Sequence, residues 1–393
     1  MMRPNDRVAP APTAYPECNV RSLSVLAAIV IALGLGLSAS THAATTVYYV
    51  KPNGAGITCS EWLAACDLQT ALGLADSGDE LWIAAGTYEQ SAVGSTFEVP
   101  NGVSMYGGFA GGELSLDQRD IFRNGTILSG HIVGEPNTQH VGHVVEVSAG
   151  ATAVIDGLTV TGGSAGGLYD HPTSRGGGIA NEGSLTLRAV TLRDNFALQG
   201  GGVSSIGQLT IESSTLVGNQ GFQGPGIYVG GGQLTVTNTT FTDNTGLKTH
   251  GLGNESTEGG AIYVAGTATA TIENATFARN GADLGASVGL DDTASVVLRN
   301  SLLANPTSIG PNANGAEFSV PAGTTLAVYD TAVRGGCIST GGLTCDTAVD
   351  IAPITTAPAD NGGPTLTIDP AGEPAIAPLV IDRGDDATCT ASD

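Results

Sequence analysis

The sequence predicts an all-β fold, a right-handed parallel β-helix with a short N-terminal capping helix. Three observations carry it. Alternating triplets recur in a fixed register: Leu185-Thr186-Leu187, Leu209-Thr210-Ile211, Leu234-Thr235-Val236, Ala270-Thr271-Ile272 and Val296-Val297-Leu298. A second triplet begins three residues beyond each, at Val190, Ser214, Thr239, Ala275 and Ser301, and three residues beyond that one stands an Asn. Those residues, Asn195, Asn219, Asn244, Asn280 and Asn305, are 24, 25, 36 and 25 apart. Finally, glycine supplies 58 of 393 residues while charged residues are 13% and aromatics 5%, a composition for many short strands and tight turns rather than for a disordered chain.

The period sets the geometry. A triplet that alternates in and out is a half-buried strand, and three such strands with their turns fill about 24 residues, one circuit of a triangular coil. A single coil cannot bury its inner face, so stability has to come from stacking. Gly and Asn are expected at the bends, because both tolerate positive φ, and an Asn at one place in successive coils can pass amide hydrogen bonds along the stack. Before each coil runs a Gly-rich motif, at Gly176-Gly177-Gly178-Ile179, Gly200-Gly201-Gly202-Val203, Gly224-Pro225-Gly226-Ile227 and Gly259-Gly260-Ala261-Ile262. An antiparallel sandwich would not require this register.

In chain order, residues 1–43 are expected to be a signal peptide. Arg21 precedes an apolar run from Leu23 to Leu37, and small residues follow to a cleavage point after Ala43. The run is shorter than the roughly 20 residues a spanning helix needs, so no integral membrane segment is expected after cleavage. Removing three Arg and two acids from the 14 basic and 37 acidic residues of the whole chain leaves 11 and 35. A surface that acidic repels nucleic acid and anionic lipid.

Residues 44–90 are expected to form the N-terminal cap and first coil, with Leu68, Ala71, Leu72 and Ala75 on one face of a short helix that covers the open end. Cys59 and Cys66 predict one local disulfide of an exported protein, Cys337 and Cys345 another; Cys389 has no near partner, which fits a chain that stops before its mate. The β-helix proper spans 91–305. Its early coils are less regular, at Leu81-Trp82-Ile83, Val103-Ser104-Met105-Tyr106, Thr126-Ile127-Leu128 and Val144-Val145-Glu146-Val147, and Gly163 holds the Asn place of the coil before Asn195. Residues 306–393 are expected to hold the last coils and a C-terminal segment.

Several stretches carry a resemblance. Tyr49-Val50, Trp62, Asp67 to Leu72, Gly78 to Tyr88 and Gly102 to Phe109, with the Gly-Gly-Ile and Asn repeats, resemble bacterial right-handed β-helix surface proteins of the polymorphic outer-membrane-protein type. The tail, Asp360 to Thr367 with Pro374-Ala375-Ile376 and Ile381 to Asp385, resembles a choice-of-anchor Q module, interrupted at Ala377 to Val380 and ending at Asp393 before the module would. The resemblance covers about 46–393 and implies fold and export, to the cell surface or the medium.

Enzyme motifs fare poorly. Pectin hydrolases of this fold use paired acids, Gly-His-Gly and Arg-Ile-Lys in that order. Here Asp291-Asp292 is a pair, His250-Gly251 precedes it, and no Arg-Ile-Lys exists. Arg193-Asp194 reads as an exposed strand-end pair. Gly162-Gly163-Ser164-Ala165-Gly166 fits the nucleophile-elbow pattern but lacks the strand–turn–helix setting that motif requires. Neither a catalytic constellation nor a metal site or cofactor is expected. The informative irregularity lies in two insertions, Ser164 to Arg175 and Gly246 to Glu258, which leave the same corner three coils apart, roughly 14 Å at about 4.8 Å per rung. They carry Tyr169, Asp170, His171, Arg175, Lys248, His250, Asn254 and Glu255, and inserts on one face of a solenoid commonly bind. The expected protein is a monomeric adhesin, stalk or carbohydrate-contacting rod whose partner is a polysaccharide or cell-surface glycan; the alternative is a polysaccharide lyase or glycoside hydrolase of pectate-lyase-like fold.

Overall fold

The computed structural model describes residues 45–134, 140–166, 174–248, 256–304, 306–308, 316–337, 341–351, 359–360 and 366–367, all within the unit Ala43–Asp393. The expected signal peptide, Asn305, Cys389 and most of the anchor-like tail lie outside the described residues.

Stacked coils form four parallel sheets, of 11, 10, 8 and 6 strands, here sheets I to IV in that order. One coil shows the path. Ser184–Arg188 lies in sheet I, Thr191–Arg193 in sheet II, Phe196–Gln199 in sheet IV and Val203–Ser205 in sheet III, after which Gln208–Glu212 returns to sheet I. The register follows the repeat: Leu185 pairs with Leu209, Leu209 with Leu234, Leu234 with Ala270, and Ala270 with Val296. Inward residues such as Leu187, Leu216, Phe241, Ile262 and Phe277 are wholly buried, and Phe241 stacks on Phe277 with centroids 4.8 Å apart.

Two features differ from the sequence reading. The coil has a fourth side, sheet IV, built from two- to four-residue strands directly after the Asn place. The bends also fall elsewhere than expected. Positive φ belongs to the residue before each Asn, at Asp194 (55°), Gly218 (66°), Asp243 (56°) and Arg279 (54°). One left-handed residue turns the chain there and leaves the next residue, the Asn, facing inward.

Turned inward, the amides form a continuous ladder. The Oδ1 of Asn219 accepts from the backbone N–H of Asn195 at 3.2 Å and from its Nδ2 at 3.0 Å, while Asn219 Nδ2 donates to Asn244 Oδ1 and to the Leu192 carbonyl, both at 2.9 Å. Asn244 repeats the pattern on Asn280, and Gly163, in the Asn place of the coil before, donates its N–H to Asn195 Oδ1 at 3.0 Å. Buried amides are tolerated only when so fully paired.

The N-terminal end is held otherwise. Its four less regular segments belong to three sheets: Leu81 and Val103 lie in sheet I, Thr126 in sheet II and Val145 in sheet III. The helix Leu68–Leu74 buries Leu68, Ala71 and Leu72, and Asp67 caps it by accepting from Thr70 N at 2.9 Å. Cys59 is bonded to Cys66, and at the far end Cys337 to Cys345. On neighbouring strands of sheet I, Trp82 stacks on Phe109 at 4.9 Å, and Trp62 donates its Nε1 to the Glu113 carbonyl at 2.8 Å. No described helix is long and apolar enough to cross a membrane.

Candidate functional site at the insertion corner

Both long insertions are rooted in sheet IV. The first leaves after Ser164–Ala165 and returns at Arg175; the second leaves after Thr245–Gly246 and returns at Glu258. In the two coils between them the chain passes straight from Gln199 to Gly200 and from Gln223 to Gly224. The residue preceding each Gly-rich bend therefore forms one column, Arg175, Gln199, Gln223 and Glu258, with Arg175 bridged to Gln199 and Gln223 to Glu258.

Side chains join this column end to end. Arg175 Nε donates to Gln199 Oε1 at 2.7 Å, Gln199 Nε2 to Gln223 Oε1 at 2.9 Å, and Gln223 Nε2 to Glu258 Oε2 at 3.3 Å. A cation stands at one end and a carboxylate at the other, with two amides oriented between them, an order in which each bond polarises the next. Tyr228 and Tyr263 lie alongside on sheet III, stacked at 6.0 Å and 14°, with the Arg175 guanidinium 6.0 Å from the Tyr228 ring. Burial, and then the Glu258 and Asp291 carboxylates beside it, push the Tyr263 phenol above its usual range, so it stays a neutral donor.

Of the eight expected binding residues, Arg175 and Lys248 lie among the described residues. Tyr169, Asp170, His171, His250, Asn254 and Glu255 lie outside them. Lys248 Nζ sits 2.8 Å from Oδ2 of Asp283, a fully buried carboxylate that also accepts from Thr257 N at 2.9 Å. Both described cations are thus engaged within the protein, each at an insertion root. Gln199, Gln223, Glu258, Tyr263 and Asp283 went unnoticed in the sequence; the signal that finds the column is the residue immediately before each Gly-rich bend.

The acids tested as catalytic candidates have structural partners. Arg193 and Asp194 pair with each other at 2.8 Å on the surface. Asp291 Oδ1 accepts from Asp292 N at 2.7 Å, and Asp292 Oδ2 accepts from Gly266 N at 3.2 Å, which braces one turn against the previous coil.

A family model described as a right handed beta helix region matches residues 176–323. Among solved structures, a pectate lyase is 13% identical over 77% of this chain and 78% of its own, with a TM-score of 0.43. An alginate lyase from Paenibacillus sp. is 15% identical over 77% and 94%, with a TM-score of 0.44. A pectin methylesterase from Aspergillus niger is 14% identical over 88% and 98%, with a TM-score of 0.40. No curated protein sequence matches the chain. The described coils, their parallel sheets and the matched family model together make this chain a right-handed parallel β-helix.

Proposed function

We propose that the protein is an exported, non-catalytic β-helix that holds a glycan at the corner where its two insertions emerge. The observation that carries this reading is the bridged column from Arg175 to Glu258, which fixes the two roots three coils apart. On this reading Arg175 and Lys248 anchor the roots, and Tyr169, Asp170, His171, His250, Asn254 and Glu255 meet the ligand, Tyr169 as stacking surface and the polar groups as hydrogen-bond partners. The structural roles of Asp194, Asp291 and Asp292 support binding over turnover. Residues 1–43 act as signal peptide, and the sheet-forming body and tail serve at the cell surface, in the manner of the polymorphic outer-membrane-protein type and its anchor-like modules. The disulfides accord with an oxidising compartment.

The test is a panel of neutral and acidic glycans, assayed for binding and for release of reducing or unsaturated ends. Binding without turnover, abolished by deleting 167–173 or 249–255, is the expected result. Turnover lost in His171→Ala or His250→Ala would instead make the corner a lyase or hydrolase site.

A further inference from the structure

The cap does not close the whole N-terminal end. The helix Leu68–Leu74 packs against the first strands of sheets I and III, whereas sheet II begins at Gly86–Gln90, which among the described residues has a single neighbour, Thr126–Ile132. On its other side lies a cleft of about 620 Å³, walled by Pro52 and Asn53, by Gln69 of the helix, and by Ser95 and Thr96. Pro52 marks its start: a Cβ added to Gly86 would sit 2.4 Å from the proline Cγ.

The register tells which backbone groups face this cleft. In a parallel pair, alternate residues bond the same neighbour. Gly86 N donates to the Gly125 carbonyl at 3.0 Å, and the Gln90 carbonyl accepts from Val133 N at 3.0 Å. Gly86, Tyr88 and Gln90 therefore serve the next coil, and the N–H and C=O groups of Thr87 and Glu89 point to the open side. Among the described residues these groups take no backbone partner, and donors and acceptors at strand spacing are a template for another extended backbone.

We infer that this edge is a docking site for an extended basic segment of a protein partner, which adds as one more strand of sheet II. Charge selects the partner. The cleft is lined by the carboxylates of Asp67 and Glu89 and by neither Lys nor Arg, in a chain of net charge −23. Asp67 is engaged at the helix cap, so Glu89, half-exposed and 3.2 Å from His131 Nδ1, is the carboxylate that meets a cation. A second copy of this acidic chain is a poor occupant. Val133, which is exposed on the lining, offers apolar cover for an alternate side chain.

The probe is a fluorescent hexapeptide, Thr-Lys-Val-Lys-Val-Thr, titrated against the full chain, with a Glu-for-Lys version and xylohexaose as controls. Binding of the Lys peptide, slowed amide exchange at Thr87 and Glu89, and at least tenfold weaker binding of the Glu peptide are expected. Thr87→Pro removes a cleft-facing N–H without touching the ladder to the next coil. It should leave the melting temperature unchanged and weaken binding at least tenfold. Glu89→Lys, which keeps the edge intact, should invert the preference between the two peptides. Equal binding of both peptides, binding indifferent to Thr87→Pro and Glu89→Lys, or protection of the edge by xylohexaose and not by peptide would each overturn the inference.

Discussion

The middle of the rod and its ends are stabilised by different means. From 176 to 304 each coil repeats its neighbours in register, and many rungs set a residue against its own kind: Leu185 on Leu209, Thr191 on Thr215, Asn195 on Asn219. At the ends there is no further coil to meet, and the chain turns to singular devices. The N-terminus has a capping helix, a disulfide, an aromatic cluster on sheet I and the ion pair of Arg119 with Asp156 at 2.7 Å. Toward the C-terminus the residue before each sheet III strand changes from Gly178, Gly202 and Gly226 through Ala261 and Ser287 to Glu317, a buried carboxyl. Repetition makes the middle cooperative; the ends are built from parts that can be altered one at a time.

The largest expected effect breaks the middle. Asn219→Leu takes the acceptor from the Asn195 N–H and amide and the donor from the Leu192 carbonyl. At about 1–3 kcal/mol for each buried polar group left unpaired, the loss is at least about 3 kcal/mol in urea unfolding. An unchanged midpoint would show that the ladder contributes nothing.

Glu317 tests the C-terminal end. Burial pushes its carboxyl pKa up to about 7, against the opposing influence of the Ser287 hydroxyl and Arg334. Folded chains keep the proton where unfolded chains lose it, so this residue's contribution is intact below about pH 4.5. It falls as pH rises to about 7 and is flat above, a loss of about 3 kcal/mol. Glu317→Gln should remove that slope, measured as the difference between wild-type and variant stability at pH 4.5 and 8.

Replacing Cys59 and Cys66 by Ser should cost about 2.5 kcal/mol, from the closure entropy of an eight-residue loop. Its signature is regional: amide exchange should rise over 47–75 and stay unchanged over 184–300. The smallest effect lies on the outer face of the middle. Arg188→Ala breaks a surface pair with Glu212 at 2.8 Å, both side chains well exposed, and should shift stability by no more than about 0.5 kcal/mol. A larger loss would mean that outer side chains support the stacking.

What was legible in the sequence follows the same division. Triplets and the Asn row could be read because their side chains alternate and recur. Sheet IV could not, because strands such as Gly281–Ala282 and Thr245–Gly246 are too short to show a period. The bends were displaced by one residue: Asn tolerates positive φ, but here Asp194 and Arg279 take it so that the Asn amide can turn inward. At the insertion corner the roots were readable from lengths alone, while the Gln199–Gln223 bridge needed the coil register. The cleft at Gly86–Gln90 brings together residues near 52, 69, 87 and 95 that share no motif, and no local signal marks it.

The amide ladder also gives the rod a sense of direction. The oxygens of Asn219, Asn244 and Asn280 each receive two donors from the coil before, and the side-chain nitrogens of Asn195, Asn219 and Asn244 each hand one on to the coil after. A coil that has just folded therefore shows its C-terminal neighbour two buried donors with no acceptor, a debt that only the arrival of the next coil can settle. Assembly is thus favoured as an ordered march rather than as independent closures. A chain that folds from its N-terminus onward is suited to that order, since each new coil finds its template already waiting.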